Sequence, residues 1–285
     1  MNLNLTSVEN KLTSCNTSKN IIEVKSTSKI NFGLWIKEKR NDGYHEIETI
    51  FYENNDLFDI VKIEKTDSSL ISVNFLQEEF NKSIPQENNL AYKAAALFFE
   101  KLGVSLNCKI TIDKKIPTEA GLGGGSSNAA AVLKGLNKLF DNKLRTSELI
   151  QIAKKLGSDV PFLVVGGTCI GKGKGDELET ITNNLQLDIK VIKPENISIS
   201  TQWAYEEIDL KNKKDNYKIM FNLFKGIRYS DYDLFFKNIF NDFEEVVFEK
   251  YPQLLEIKNQ LLKEGYETVG LCGSGSAVYG VRKKG

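Results

Sequence analysis

"IPTEAGLGGGSSNAAAVL", residues 116–133, sets four glycines and two serines directly ahead of a run of helix formers. Without a Cβ, Gly121, Gly123, Gly124 and Gly125 can take positive φ and let a bulky group approach their N–H groups. Ser126 and Ser127 suit a helix start, and Val132, Leu133, Leu136, Leu139 and Phe140 recur on one face at helical spacing. A glycine loop therefore feeds a helix N-terminus. Unpaired amides and the positive end of the helix dipole converge there, a setting that favours a phosphate group. The competing reading is a plain flexible turn before an amphipathic helix, and the combination of loop, serines and helix weighs against it. The pattern is neither GxxxxGK[ST] nor a strand-preceded GxGxxG, so neither a Walker loop nor a Rossmann unit is indicated.

The remaining composition narrows the classes. With 285 residues the chain has material for one large domain or two ordinary ones. Lys+Arg and Asp+Glu are both 38, so no global basic field recruits nucleic acid or an anionic membrane. No apolar run approaches the roughly 20 residues of a membrane span. Cys15, Cys108, Cys169 and Cys272 are scattered without a CxxC pair, which suits a reducing compartment and a cytoplasmic location. His45 is the single histidine, which excludes multi-histidine zinc sites and leaves none to spare for a hydrolase triad. Residues 1–20 are rich in Ser, Thr and Asn, lack an apolar signal core and any arginine, and are expected to form a disordered extension.

Alternation predicts strands at 21–24, 29–36, 57–63 and 106–112, the last with Leu106, Cys108, Ile110 and Ile112 on one face. Residues 90–103 read as a helix stopped at Gly103, residues 146–157 as a helix capped by Thr146 or Ser147 and stopped at Gly157, and residues 253–265 as a helix after Pro252. The polar stretch 211–218 reads as a solvated loop. Strands and helices mix without a strict βαβ rhythm, so α+β layers are expected, with a domain border near 181–190.

Three further stretches carry chemistry-bearing residues: "KINFGLWIKEKRNDGYHEIET" at 29–49, with an Asp-Gly turn before the histidine; "LGSDVPF" at 156–162; and "LCGSGSAVYG" at 271–280. Each alone has an ordinary explanation: Lys29 a surface charge, Asp159 a helix cap, His45 a turn residue, the late loop a tight hairpin. Together with "GLGGGSSNAA" they resemble the GHMP kinases, and the resemblance runs from about Lys29 to the C-terminus. "DGYHEIET" after "KIN" resembles the branch of that superfamily that acts on a cytidine-diphosphate-linked methylerythritol.

The resemblance implies a two-domain α+β fold: an ATP-binding N-terminal domain of ribosomal-protein-S5 type over 21–184 and a ferredoxin-like C-terminal domain over 185–285, with the cleft between them. It implies transfer of the ATP γ-phosphoryl to the 2-hydroxyl of the methylerythritol unit, with Mg²⁺; neutral charge and the lack of a long apolar run point to no nucleic-acid or membrane partner, and no obligate protein partner is indicated. By position, Pro117, Gly121, Leu122, Gly123, Gly124, Gly125, Ser126 and Ser127 would hold the ATP phosphates, with Ser126 or Ser127 as the hydroxyl ligand to Mg²⁺. Lys29 and Asp159 match the catalytic pair. Asn31 would orient the substrate, Tyr44 and Tyr205 would stack on cytosine, His45 would read the base, and Thr201, Gly273 and Gly275 would line the substrate site. A related kinase for another small alcohol and a non-catalytic nucleotide-binding homologue are the alternatives; retention of both Lys29 and Asp159 argues against the second. Two departures stand out. Glu119 is a carboxylate beside the expected triphosphate, unfavourable unless it points to solvent. The chain ends in "VYGVRKKG" where the resemblance implies a further helix and strand, so an edge element is expected to be missing.

Overall fold

The polar run at residues 25–28 reads in the sequence as a break between two strands, yet the chain stays extended through it. A computed structural model of the protein describes residues 17–18, 20–68, 70–83, 85–105, 107–209 and 215–285. In it β1 (Thr17–Ser18) is followed by two long strands, β2 (Ile21–Lys39) and β3 (His45–Lys65), paired antiparallel along their length. Register shifts at Thr27/Ser28, Asn31/Gly33 and Ile36/Glu38 disturb the alternation without ending the strand. Ser26, Thr27, Ser28 and Lys29 are all buried. Three of them find side-chain partners there, Ser26 in Ser127, Thr27 in Glu53 and Lys29 in Asn31. The expected Asp-Gly turn closes the hairpin, with Gly43 at φ +85 and its N–H donating to Arg40 O.

The ribbon then serves two neighbours. Near one end, residues 49–52 of β3 pair with β6 (Thr168–Lys172), which pairs with β7 (Glu177–Thr180). At the other, residues 60–65 pair with β5 (Cys108–Asp113), itself parallel to β4 (Ile71–Phe75). Helices α1 (Glu78–Ser83), α2 (Leu90–Leu102), α3 (Gly124–Leu139), α4 (Thr146–Lys154) and α5 (Val160–Val165) complete this half. The buried stripe of α3, including Val132, Leu133 and Leu136, packs with Phe98 and Phe99 of α2 and with Val61, Ile63 and Ile110 of the sheet. Each large apolar side chain fully buried there contributes about 1.5–3 kcal/mol. Gly103 ends α2 in the left-handed conformation at φ +66, as expected. The α4 cap differs from expectation: Arg145 is the N-cap, and its N–H donates to Glu148 Oε2, because Glu148 sits at the third helical position.

The second half builds a three-stranded antiparallel sheet from β8 (Leu187–Ile192), β10 (Thr268–Leu271) and β11 (Val278–Lys283), with β11 central. Around it lie α6 (Thr201–Asp209), α7 (Tyr217–Tyr229), α8 (Tyr232–Lys237), α9 (Glu244–Lys250) and α10 (Gln253–Lys263). A short β9 (Phe240–Asn241) crosses over to pair with β2 at Gly33 and Leu34. One shared core joins the halves: Ile30, Phe32 and Ile50 from the first pack with Leu223, Phe235 and Tyr279 from the second. Tyr279 Oη donates to Asn31 O at 3.1 Å inside that seam. Among the described residues no helix is long and apolar enough to cross a membrane. The expected extension lies outside the described residues apart from Thr17, Ser18 and Asn20, as do Leu106 and residues 211–214 of the expected loop.

Candidate active site

The chain leaving β5 must turn sharply to enter α3, and its glycines are where backbone meets backbone. Gly121 sits at φ +72, and a Cβ there would stand 1.7 Å from Cys272 O; the two glycine loops are in direct main-chain contact. Gly123, at φ +70, is the N-cap of α3, and a Cβ on it would lie 3.0 Å from Lys29 Cγ. Helix α3 begins at Gly124, ahead of the serines that the sequence marks as its start, because the left-handed Gly123 already turns the chain. Ser127 N donates to Gly123 O at 2.8 Å, so the first-turn amides before it lack helical acceptors and open onto the cleft. Lys29 N donates to Leu122 O at 3.0 Å, which ties the loop to β2.

The structure separates the two serines. Ser127 is buried; its Oγ donates to Thr27 O at 2.6 Å and accepts from Ser26 Oγ at 2.7 Å. Its hydroxyl is turned into the core, and of the two serines only Ser126 lines the cleft. Glu119 is exposed and lines the cleft beside the glycines. With φ +53 it reaches across to the second half and accepts a hydrogen bond from Ser198 Oγ, which holds its charge to one side of the loop.

Lys29 and Asp159 come together from distant parts of the chain. Lys29 Nζ lies 3.6 Å from Asp159 Oδ2, with the lysine side chain 6% exposed and the aspartate 30%. Asp159 precedes α5 but makes no side-chain cap, so its carboxylate is free of that duty. Lys29 Nζ also donates to Asn31 Oδ1 at 2.8 Å, while Asn31 Nδ2 donates to Thr49 Oγ1 at 2.8 Å. Asn31, expected to orient substrate, lines the cleft and is bonded there to the lysine it also holds.

The aromatic end is formed by the β2–β3 turn and α6. Tyr205 stacks on His45 with ring centroids 4.5 Å apart and planes 15° apart, and Phe243 packs edge-on against Tyr205 at 4.9 Å. Burial, with the charge of Asp159 added, raises the Tyr205 phenol well above its ordinary range, so it stays neutral. Tyr44 is 53% exposed and carries the Lys174 ammonium 4.7 Å above its ring. Thr201 Oγ1 is 2.9 Å from Ser274 Oγ, joining α6 to the late glycine loop.

One cleft of about 760 Å³ gathers these parts. Pro117, Gly121 to Ser126, Lys29, Asn31, Asp159, Tyr44, His45, Thr201, Tyr205 and Gly273 all line it. Gly275 does not: its missing Cβ points at Ile199 and Leu271 in the core, so it shapes the loop from behind. The sequence reading passed over Lys114 and Lys174, which also line the cleft, and Asp59, which pairs with Lys114 at 2.6 Å. Asp59 had a signal, since it shares the strand face of Val61 and Ile63, where a charge is out of place. Lys174 was flagged only by flanking glycines, Gly173 and Gly175, both at positive φ.

Known proteins share this fold and sequence. The family model "GHMP kinases N terminal domain" matches residues 89–167, and "GHMP kinases C terminal" matches residues 223–284. A protein of Caldicellulosiruptor bescii named 4-diphosphocytidyl-2-C-methyl-D-erythritol kinase is 39% identical over 263 residues, covering 91% of this chain and 89% of its own. One of the same name from Persephonella marina is 37% identical over 263 residues, covering 91% of each. A crystal structure of 4-(cytidine 5'-diphospho)-2C-methyl-D-erythritol kinase superposes with a TM-score of 0.72 at 29% identity, over 90% of this chain and 89% of the other. The homoserine kinase of Cytophaga hutchinsonii, at 16% identity and a TM-score of 0.77 over 95% of this chain and 88% of its own, shares the fold. The chain belongs to the 4-diphosphocytidyl-2-C-methyl-D-erythritol kinase family of the GHMP kinases.

Proposed function

We infer that the protein transfers the γ-phosphoryl group of ATP to the 2-hydroxyl of 4-diphosphocytidyl-2-C-methyl-D-erythritol, a step in isoprenoid precursor synthesis. The observation that carries the mechanism is the Lys29–Asp159 pair at 3.6 Å beside the open first turn of α3. A tertiary alcohol is a weak nucleophile at neutral pH. Asp159, spared from capping, accepts its proton as the oxygen attacks phosphorus, a role that typically contributes ~10²–10⁴-fold. Lys29 stabilises charge on the transferring group. Asn31 holds the ammonium in place. The amides of Gly124, Gly125 and Ser126 meet the phosphates at the positive end of the helix.

Among the described residues no group of three or more His, Cys, Asp or Glu forms a metal cage. That donor set fits Mg²⁺ carried chiefly by ATP oxygens, with Ser126 Oγ as the protein hydroxyl. The ion would supply further neutralisation of phosphate charge. At the far end Tyr44 offers an exposed ring face to cytosine and His45 a polar ring edge, while Tyr205, expected to stack on the base, has its face taken by His45 and backs that ring instead; stacking on a base is worth ~1–3 kcal/mol.

The test is product-resolved phosphotransfer with ATP, Mg²⁺ and the cytidine-linked alcohol. Turnover that vanishes in Asp159→Asn while ATP still binds is expected. Phosphorylation of homoserine or mevalonate with none of the cytidine compound would overturn the substrate, and full kcat in Asp159→Asn would overturn the role of Asp159.

A further inference from the structure

Asp59 has no part in the chemistry above, yet it is fully buried and accepts four hydrogen bonds. It stands in β3 opposite Ser26 of β2, one residue beyond the last β3–β5 pair, Ile60 with Asp113. There the chain leaves β5 for the phosphate loop. The amides of Lys115 and Ile116, past the end of the ladder, donate to Asp59 Oδ1 at 2.6 and 2.8 Å. Its Oδ2 accepts from Lys114 Nζ at 2.6 Å and from Asn128 Nδ2 at 2.8 Å. Asn128 lies in α3 just after the loop and also donates to Ser26 Oγ at 2.9 Å. Lys114 Nζ is held 3.0 Å from where a Cβ on Gly124 would stand, at the mouth of the first turn.

One carboxylate therefore grips the loop before it begins, at Lys115 and Ile116, and after it ends, at Asn128. Packing alone does not call for it, since Val61 and Ile63 fill the same strand face with apolar groups. A buried charge is tolerated only when fully paired, and its bonds then have low freedom to move. We propose that Asp59 is a positioning residue for ATP: it sets the separation of the two ends of the phosphate loop and holds Lys114 against the first turn of α3, so that the loop amides are aimed before nucleotide arrives. The proposal rests on the reading of residues 117–126 as the ATP phosphate site.

Asp59→Asn puts an amide donor against donors whichever way it sits, and the loop ends lose their common anchor. Misplacement of that kind costs roughly 10²-fold in kcat/KM for ATP. Expected in calorimetry with ATP and Mg²⁺ is a Kd raised about tenfold or more, while KM for the cytidine-linked alcohol stays within about twofold, because the aromatic end is built from other elements. The swap Asp59→Asn/Asn128→Asp returns a carboxylate to the cluster, 3.4 Å from Lys114 at the present Asn128 Oδ1, and should recover most of the ATP affinity. If Asp59→Asn does not fold, Asp59→Asn/Lys114→Met is compared with Lys114→Met, because removing both charges avoids an unpaired buried ion. A further loss of ATP affinity in the double variant supports the proposal, and equal affinity overturns it. A folded Asp59→Asn with wild-type ATP affinity, equal losses for both substrates, or a folded swap that recovers nothing would each overturn it as well. Wild-type protein that binds no ATP would instead overturn the reading of the loop itself, and the proposal with it.

Discussion

Replacing Gly121 by alanine tests whether contact between the two glycine loops builds the site. The new Cβ would lie 1.7 Å from Cys272 O, 2.7 Å from Cys272 C and 3.1 Å from Gly275 O. Ordinary contact begins at 3.4 Å, so one loop must retreat by 3.4 − 1.7 = 1.7 Å. Every one of those atoms is main chain, so no rotamer change relieves the clash. The retreat strains the two bonds that seat the loop, Lys29 N to Leu122 O at 3.0 Å and Ala277 N to Ala120 O at 3.2 Å. The φ of +72 adds about 1–2 kcal/mol for a residue with a Cβ. With overpacking of about 1–3 kcal/mol, the stability loss comes to roughly 2–5 kcal/mol. Tm should fall by roughly 5–10 °C. Shifting the loop amides by more than an ångström should lower kcat/KM for ATP by about 10²-fold. The measurements are a calorimetric melt and initial rates across ATP concentrations. Gly125→Ala is the stability control: its Cβ meets nothing nearer than Leu90 Cδ1 at 3.9 Å, and Tm should hold or rise. Activity within about threefold of wild type in Gly121→Ala would refute the idea that this backbone contact sets the loop.

Three other outcomes are expected. Tyr44→Ala should raise KM for the cytidine-linked alcohol by about tenfold at unchanged kcat, since stacking is equal in ground and transition states, and steady-state kinetics would contradict the pose if KM stayed put. Ser126→Ala should raise the Mg²⁺ concentration needed for half-maximal rate. Ser127→Ala, which loses bonds to Thr27 and Ser26, should instead cost about 1 kcal/mol of stability and leave the Mg²⁺ titration alone; the reverse pattern would exchange their roles. Burial pushes the thiols of Cys108, Cys169 and Cys272 up to about 12 from an ordinary 9.0. The folded state keeps protons that the unfolded chain releases, so this contribution is whole below pH 9 and is lost as pH climbs toward 12. Denaturant melts should show stability falling across that window, more steeply than in a variant with Cys272→Ala.

The glycine loop, the helix behind it and the motif residues Lys29 and Asp159 were legible in the sequence because local chemistry dictates them: glycine takes positive φ at the least cost, and a patterned stripe packs α3. Strand limits around residues 25–29 were not legible, because polar side chains there are satisfied by partners as distant as Ser127 and Glu53. The same distance hid the division of labour between Ser126 and Ser127, the turning of Gly275 toward Ile199, and the bond from Ser198 to Glu119. Residue type and spacing thus determined the family, and they single out the glycine loop at 116–127 and the Lys29–Asp159 pair proposed here for phosphate binding and catalysis. Which side chains face the cleft and which are spent holding it together was decided only by tertiary structure, because a hydrogen bond between residues a hundred positions apart leaves no mark on the periodicity of either segment.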